Sequence, residues 1–278
     1  MTAASPISWQ PIDDAGFRRG GAVSTRGAQG GDRRYRLGRV RARLRRHPGP
    51  KVAILGAGFG GIAAAVALRR AGLDDLMIIE AADGVGGAWR RNSYPGAACD
   101  VQSHLYCFSF APNPSWSRTY VRQPEILSYL EWVTDEFDLR SHLKLATRVH
   151  AVAWNESALK WEIHGQCAGQ PTTLAADVVV SAVGLFGSAK LPDIAGLTDF
   201  GGVLMHTSSW DHTVDLSGRR VAVVGTGASG VQVIPELAKT AAKVTVFQRT
   251  PPWMVPKDDR PYNAGELARF RRNPWADL

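Results

Sequence analysis

Apolar and polar positions from residue 51 onwards follow two periods, one typical of buried strands and one typical of helices. Helix-like runs follow the glycine-rich stretches GAGFGG and GTGASG, and another covers residues 124–137, with Pro124 in its first turn. The alternation of these runs predicts an α/β fold. Strands are predicted at KVAIL, LMIIE, DVVVSAVG, RRVAVVG and KVTVFQR. The apolar face of helix 124–137 is predicted to consist of Ile126, Leu127, Leu130, Val133 and Phe137.

Two strand–turn–helix–strand units begin near residues 51 and 219, each with the pattern of a dinucleotide-binding (Rossmann-like) module. Between them, ATRVHAVAW and LKWEIHG predict a small antiparallel β excursion. We therefore expect a basic tail over 1–48, a first nucleotide-binding domain over 49–190, a connector over 191–217 and an incomplete second nucleotide-binding domain over 218–278.

The basic character of the chain is confined to its N-terminal tail. Residues 1–50 hold 11 Arg and 3 Asp, a net charge of +8, whereas the remainder holds 22 basic and 22 acidic residues. The tail mixes Gly, Arg and Pro with few large apolar side chains, so we expect it to be disordered. A solvated tail, or an extension from an early start codon, competes with a nucleic-acid-binding arm or an Arg-rich transit peptide.

The first glycine-rich turn has the spacing GxGxxG at Gly56, Gly58 and Gly61, between an apolar strand and a helix. In that context the first glycine permits the tight turn and the second lets the backbone approach a pyrophosphate. The third lets the helix pack closely on the strand, and the helix N-terminus presents N–H groups to the phosphates. Glu80 ends the next strand, 19 residues after Gly61, where a carboxylate would bind a ribose hydroxyl.

The second glycine-rich turn repeats this spacing at Gly225, Gly227 and Gly230. Its second strand ends in Arg249 and Thr250, with no acidic residue at the ribose position. An Arg there suits a 2′-phosphate, so the sequence favours NADPH over NADH. The alternative is that Arg249 is merely a surface cation. Two dinucleotide modules in one chain indicate FAD together with NADPH, because hydride passes from one ring to the other.

Three cysteines, Cys99, Cys107 and Cys167, form an odd number with no CxxC spacing. This usage disfavours a disulfide framework or a zinc site and favours a reducing cytosol. No run reaches the roughly 18 apolar residues that a membrane span needs, and the N-terminus lacks an apolar signal core. We expect a cytoplasmic protein with no metal site and with neither nucleic acid nor membrane as a partner; the sequence leaves the oligomeric state open.

Two longer motifs resemble those of type I Baeyer–Villiger monooxygenases, a branch of the flavin-containing monooxygenase superfamily. Residues 86–100 resemble the pattern G-G-x-W-x4-[FY]-P-[GM]-x3-D. FGGVLMHTSSWD matches F-x-G-x-x-x-H-x-x-x-W-[PD], and its ending separates the chain from the related flavin-containing monooxygenases. The resemblance covers roughly residues 50–278. The fixed positions of the second motif are Phe200, Gly202, His206, Trp210 and Asp211.

The resemblance implies a set of cofactor-binding residues. The ADP half of FAD would be held by Gly56, Gly58, Phe59, Gly60 and Glu80, with Val149 meeting the adenine through its backbone. The flavin side would be lined by Gly87, Trp89, Asp100 and Tyr106. NADPH would be held by Thr226, Gly227, Ser229, Gly230, Gln232, Arg249 and Thr250. His206 and Trp210 would couple domain position to catalysis, or simply pack within the connector.

The chemistry implied by the resemblance is oxidation of a ketone to an ester or lactone with O2, through a C4a-peroxyflavin formed on FAD reduced by NADPH. Asp100 would act in catalysis by positioning an Arg that stabilises the anionic peroxide. An N- or S-oxygenating flavin monooxygenase and a catalytically inactive nucleotide-binding fragment are the alternatives.

The chain ends before that Arg, and ELARFRRNPWADL is predicted to lie inside a helical stretch. We therefore expect a C-terminally truncated protein that does not oxygenate ketones at a useful rate by itself.

Overall fold

In the computed structural model, residues 49–185 and 189–274 are described. The predicted basic tail lies outside the described residues. Those that are described fall in one compact unit of the chain. They confirm the predicted α/β fold, with parallel sheets and a separate antiparallel sheet.

A four-stranded parallel sheet organises the first half of the described chain. Its strands are β1 (Val52–Leu55), β2 (Leu76–Ile79), β3 (Leu143–Lys144) and β7 (Val178–Ser181), in the order β3-β2-β1-β7. Every residue of β1 and β2 is buried, as their unbroken apolar sequences predict. Helix α1 (Phe59–Arg70) connects these two parallel strands and packs on the sheet.

An antiparallel sheet of three strands lies between β3 and β7 in the sequence. It consists of β4 (Thr147–Asn155), β5 (Lys160–Cys167) and β6 (Gln170–Ala176). The sequence pattern predicts β4 and β5 but not β6, which contains Pro171 and no apolar run. Ile163 and Ala176 of this sheet join the core cluster that also contains Ala53, Leu55, Met77 and Ile79.

Two α-helices lie between β2 and β3. The short α2 (Ala88–Arg91) precedes α3 (Gln123–Glu136), which confirms the predicted amphipathic helix with Pro124 in its first turn. On the predicted apolar face Ile126, Leu130 and Val133 are buried, whereas Leu127 and Phe137 are only partly buried. Among the helices that the structure describes, none combines the length and the apolarity needed to cross a membrane.

The second strand–turn–helix–strand unit is smaller. It consists of β8 (Arg220–Val224), α4 (Ala228–Leu237) and β9 (Lys243–Phe247), with β8 and β9 parallel. Val233 and Leu237 of α4 are buried against the first half of the chain, where they form a core cluster with Tyr94 and Ala97.

Residues 257–272 fold back onto the first half of the chain. The backbone N–H of Thr119 donates to the carbonyl of Arg260 at 3.0 Å. The Nε of Arg118 donates to Oδ1 of Asp259 at 2.7 Å. The C-terminal part of the described chain therefore completes the packing of a much earlier segment.

The last described helix is α5 (Ala264–Arg272). It begins at a capping box, in which Asn263 and Glu266 each accept a backbone N–H of the other. The prediction that ELARFRRNPWADL lies inside a helical stretch is wrong at Asn273, and residues 275–278 lie outside the described residues. Asn273 has an extended backbone, because it precedes Pro274 and a residue before proline disfavours the helical conformation.

His104 marks the contact between α5 and the first half of the chain. Its ring lies 3.6 Å from that of Phe270 and 5.0 Å from that of Tyr262, measured between centroids. Neither ring nitrogen has a hydrogen-bond partner within the described part of the chain. Burial, aided by Arg269 and opposed by Glu266, lowers the pKa of His104 to about 4.

We predict that His104 makes the protein acid-sensitive. Between pH 6.5 and pH 4 the unfolded chain binds a proton at this residue that the folded chain does not, so stability falls as the pH falls. The loss from pH 7 to pH 4 is about 3 kcal/mol of unfolding free energy. Urea denaturation at a series of pH values should show this component in the wild type and in the control His150→Phe, an exposed histidine on β4. It should disappear in His104→Phe, and an unchanged pH dependence in that variant would contradict the prediction.

Candidate functional site

The first glycine-rich turn brings α1 against β1 at a distance that only glycine allows. Gly56 has φ +104°, in the region that favours glycine. A Cβ on Gly61 would lie 1.8 Å from the carbonyl oxygen of Gly56. Gly58 is the N-cap residue of α1, so the free N–H groups of the first helical turn open beside it. This is the backbone geometry predicted for a pyrophosphate site.

Glu80 is fixed at the end of β2 by two backbone groups. Its Oε2 accepts the N–H of Ala57 at 2.8 Å, and its Oε1 accepts the N–H of Ala82 at 2.9 Å. The side chain is buried, and it lines the cleft beside the glycine-rich turn. Because an ionised carboxylate has about four acceptor positions, both oxygens can also accept hydroxyl groups of a ligand.

A cleft of about 420 Å³ opens at the carboxyl ends of β1, β2 and β7. This is where parallel α/β sheets bind their ligands. The structure thus brings together most residues predicted for the first module. Those that line the cleft are Gly56, Gly58, Phe59, Gly60, Glu80, Gly87, Trp89, Tyr106 and Val149.

Other lining residues were not predicted from the sequence. The segment 182–185 follows β7 and faces the first glycine turn, where a Cβ on Gly56 would lie 2.5 Å from the carbonyl oxygen of Ala182. Arg91 and Arg148 add two cationic side chains to the lining. The pairing of β7 with β1 is the signal that identifies 182–185, since parallel neighbours end at the same edge of a sheet.

Aromatic side chains form one wall of the cleft. The indole Nε1 of Trp89 donates to the hydroxyl of Tyr106 at 2.8 Å. The ring of Phe59 makes an edge contact with Tyr106, at 4.9 Å between centroids. Burial raises the pKa of Tyr106, so its hydroxyl stays protonated at neutral pH and can donate a hydrogen bond to a ligand.

Two predicted residues of the first module lie outside the lining of the cleft. Gly61 is buried beneath the turn, where it allows the helix contact described above. Asp100 is exposed. The preceding carbonyl, of Cys99, accepts a hydrogen bond from Nζ of Lys257 at 2.8 Å.

The connector motif folds as local turns. His206 caps the short 3₁₀ turn Thr207–Ser209, because its Nδ1 accepts the backbone N–H of Ser208 at 3.1 Å. Trp210 packs against the core cluster around Tyr94 and Val233. The other fixed positions of the motif are exposed, namely Phe200, Gly202 and Asp211.

The second glycine-rich turn repeats the geometry of the first. Gly225 has φ +99°, and a Cβ on Gly230 would lie 2.6 Å from the carbonyl oxygen of Gly225. Gly227 is the N-cap residue of α4, and a Cβ there would meet open space. Thr226 and Ser229, also predicted here, are partly buried.

The remaining predicted residues of the second module separate into two groups. Arg249 and Thr250 lie exposed just beyond β9. Arg249 makes no ion pair or hydrogen bond with any other described residue. Gln232, by contrast, directs its amide toward the first half of the chain, where it bonds to Tyr94 and Ala98.

The fold contains two strand–turn–helix–strand units of the Rossmann-like type, each with a glycine-rich turn. Comparison with protein families matches residues 49–271 to the flavin-binding monooxygenase-like family. The chain belongs to this family, which confirms the family resemblance of its sequence motifs.

Three relatives show how far the likeness extends. A Baeyer–Villiger monooxygenase of Streptomyces coelicolor is 50% identical over 228 residues, which cover 82% of this chain and 43% of the relative. The crystal structure of cyclohexanone monooxygenase from Rhodococcus sp. Phi1 bound to NADP+ superposes with a TM-score of 0.73 at 40% identity, covering 80% of this chain and 42% of that one. The structure of OTEMO in complex with FAD and NADP has a TM-score of 0.75 at 34% identity, with coverages of 82% and 44%. The chain therefore spans less than half the length of these relatives.

We predict that Gly61→Ala destabilises the fold by about 1–3 kcal/mol, because α1 must move away from β1 to accommodate the methyl group. Gly201→Ala is the matched control, since a Cβ at that position meets no atom within 4 Å. Its effect should stay within about 0.5 kcal/mol. Both are measured by urea denaturation, and equal losses in the two variants would contradict the steric explanation.

Proposed function

We propose that the chain provides the FAD site and the start of the NADPH site of a Baeyer–Villiger-type monooxygenase. Residues 49–190 would bind FAD and residues 218–278 would bind NADPH, joined by the connector 191–217. The observation that carries the proposal is the cleft in which the first glycine turn, Glu80 and the Trp89–Tyr106 wall converge.

The cleft has the chemistry that FAD requires. Backbone N–H groups at the start of α1 suit a pyrophosphate, and the lack of side chains at Gly56 and Gly58 leaves it room. The carboxylate of Glu80 suits a ribose hydroxyl, and the Trp89–Tyr106 pair suits the face of a large aromatic ring. FAD held there and reduced by NADPH would supply the electrons for activating O2.

The second glycine turn suits the pyrophosphate of NADPH. Its backbone matches the first turn, and the open space beside Gly227 lies at the N-terminus of α4. Arg249, exposed beyond β9, would suit a 2′-phosphate. We propose Asp100 as the residue of this chain that acts in catalysis; its exposed carboxylate lies one residue after the Cys99 carbonyl held by Lys257.

Ketones are the substrate class that we propose, with esters or lactones as products. The likeness of the chain to a Baeyer–Villiger monooxygenase and to a cyclohexanone monooxygenase supports this class. The Trp210-Asp211 ending of the connector motif favours the same branch over oxygenation at nitrogen or sulfur.

The compartment that we propose is the reducing cytosol. The thiols of Cys99, Cys107 and Cys167 are all free. Oxidising compartments favour paired cysteines in secreted domains, whereas free thiols are usual in the cytosol.

We predict that flavin released by heat from the purified protein is FAD and not FMN, because Glu80 needs an adenosine ribose as its partner. Chromatography of the released flavin measures this.

Anaerobic addition of NADPH to the FAD-loaded whole protein should bleach its visible absorption. A longer protein that includes this chain should then convert cyclic and aryl ketones to esters or lactones under air, detected by gas chromatography.

Recovery of FMN alone, or an FAD-loaded protein that NADPH does not reduce, would overturn the assignment of the two sites. Oxidised amines or sulfides in place of esters would support the N- or S-oxygenating alternative.

We predict that Arg249→Ala weakens NADPH binding about ten- to 150-fold and leaves NADH binding nearly unchanged, because only NADPH carries the 2′-phosphate. Arg220→Ala, which removes an exposed arginine from the start of β8, is the matched control and should change neither affinity. Isothermal titration of both coenzymes against both variants measures the effect. Equal losses for NADPH and NADH would show that Arg249 acts through structure.

A further inference from the structure

The side chain of Gln232 joins the two halves of the described chain. Its Nε2 donates to the carbonyl of Ala98 at 2.9 Å, and its Oε1 accepts the N–H of the same residue at 3.3 Å. The hydroxyl of Tyr94 donates to Oε1 at 2.8 Å. All three hydrogen bonds connect a residue of α4 with a segment about 134 positions earlier in the chain.

Ala98 pairs with another backbone segment on one side only. It forms an isolated antiparallel bridge with Arg122. The N–H and C=O of Ala98 itself bond to the Gln232 side chain. A side-chain amide carries the same donor and acceptor as a peptide group, so Gln232 completes this bridge as a neighbouring strand would.

Steric contact reinforces the hydrogen bonds. Gly96 has φ +82°, and a Cβ there would lie 2.5 Å from the backbone carbonyl oxygen of Gln232. Beside it, apolar side chains from both halves form one cluster, made of Tyr94, Ala97, Val233 and Leu237. The segment 94–98 is therefore seated directly on α4.

The joined elements lead directly to the two glycine-rich sites. Gln232 lies about one and a half turns after Gly227, which caps the N-terminus of α4. The segment 94–98 lies shortly after Trp89, which lines the first cleft, and shortly before Asp100. A ligand that orders the start of α4 would thus order the segment bordering the first cleft.

We propose that Gln232 is a positioning residue that couples the two nucleotide sites energetically, rather than a ligand of NADPH. The inference rests on the proposed binding of FAD and NADPH. Because both ligands would order the same Tyr94–Gln232 contact, the second to bind has less ordering left to do, and the coupling is positive.

The test measures the dissociation constant of FAD with and without saturating NADP+, by flavin fluorescence and by isothermal titration. In the wild type, NADP+ should tighten FAD binding at least about five-fold. Gln232→Met keeps the length and helix propensity of the side chain but removes all three hydrogen bonds. In this variant the ratio of the two constants should fall to within about two-fold of one, while NADP+ alone still binds.

Two further variants complete the design. Gln166→Met makes the same change at an exposed position on β5 and should retain the wild-type ratio. Tyr94→Phe removes only one hydrogen bond and should give an intermediate ratio. This milder variant decides the question if Gln232→Met fails to fold, because an unchanged ratio in Tyr94→Phe contradicts the inference.

The outcomes separate this inference from the proposed function. A wild-type protein that binds neither nucleotide overturns the proposed function, and the inference with it. A wild type that binds both with a ratio of one, or a Gln232→Met variant that keeps the wild-type ratio, overturns the inference alone. Weaker NADP+ binding in Gln232→Met, with the wild-type ratio retained at saturating NADP+, would instead identify Gln232 as a direct ligand.

Discussion

The close approach of a helix to a strand, made possible by one glycine, is the constraint on which the first cleft depends. Because Gly61 has no side chain, α1 lies against the carbonyl of Gly56, and its N-terminus opens beside the turn. The same contact between Gly230 and Gly225 sets the geometry of the second turn. The carboxylate of Glu80 ties the end of β2 to the first turn through the N–H of Ala57. The absence of a side chain at Gly61 and at Gly230 therefore sets the geometry of both candidate nucleotide sites.

The parts of this arrangement that were predictable from the sequence are those governed by local chemistry. Unbroken apolar runs mark β1 and β2, the glycine spacing marks both turns, and Pro124 marks the start of α3. Each of these signals acts within a few residues, so a linear pattern records it. Glu80 was predictable because strand length and helix length fix its distance from Gly61.

The features that were not predictable arise from contacts between distant segments. β6 forms because β5 offers it an edge, although its own sequence lacks an apolar run. Residues 257–272 pack near His104 through partners more than a hundred positions away, and no periodicity reports such a contact. The direction of the Gln232 side chain depends on its hydrogen bonds to the backbone of Ala98, a residue that is distant in the sequence and adjacent only in the folded chain. Sequence motifs identified the glycine-rich turns of this molecule but not the contacts between distant segments that hold the turns together.

The return of residues 257–272 to the first half of the chain has a consequence for how the molecule can be divided. Phe270 fills a place in the packing around His104, and Asp259 neutralises Arg118, so part of the first unit's interior is encoded after the second unit. Dividing the chain in the connector would separate the two glycine turns. It would also remove Phe270 from its contact with His104 and expose the side chains around it. Chimeras that exchange the region after the connector with that of a relative would therefore also change the packing around His104 in the first half of the chain. The two units therefore share side-chain packing as well as a connector, and a change to residues 257–272 is expected to alter the stability of the first half of the chain.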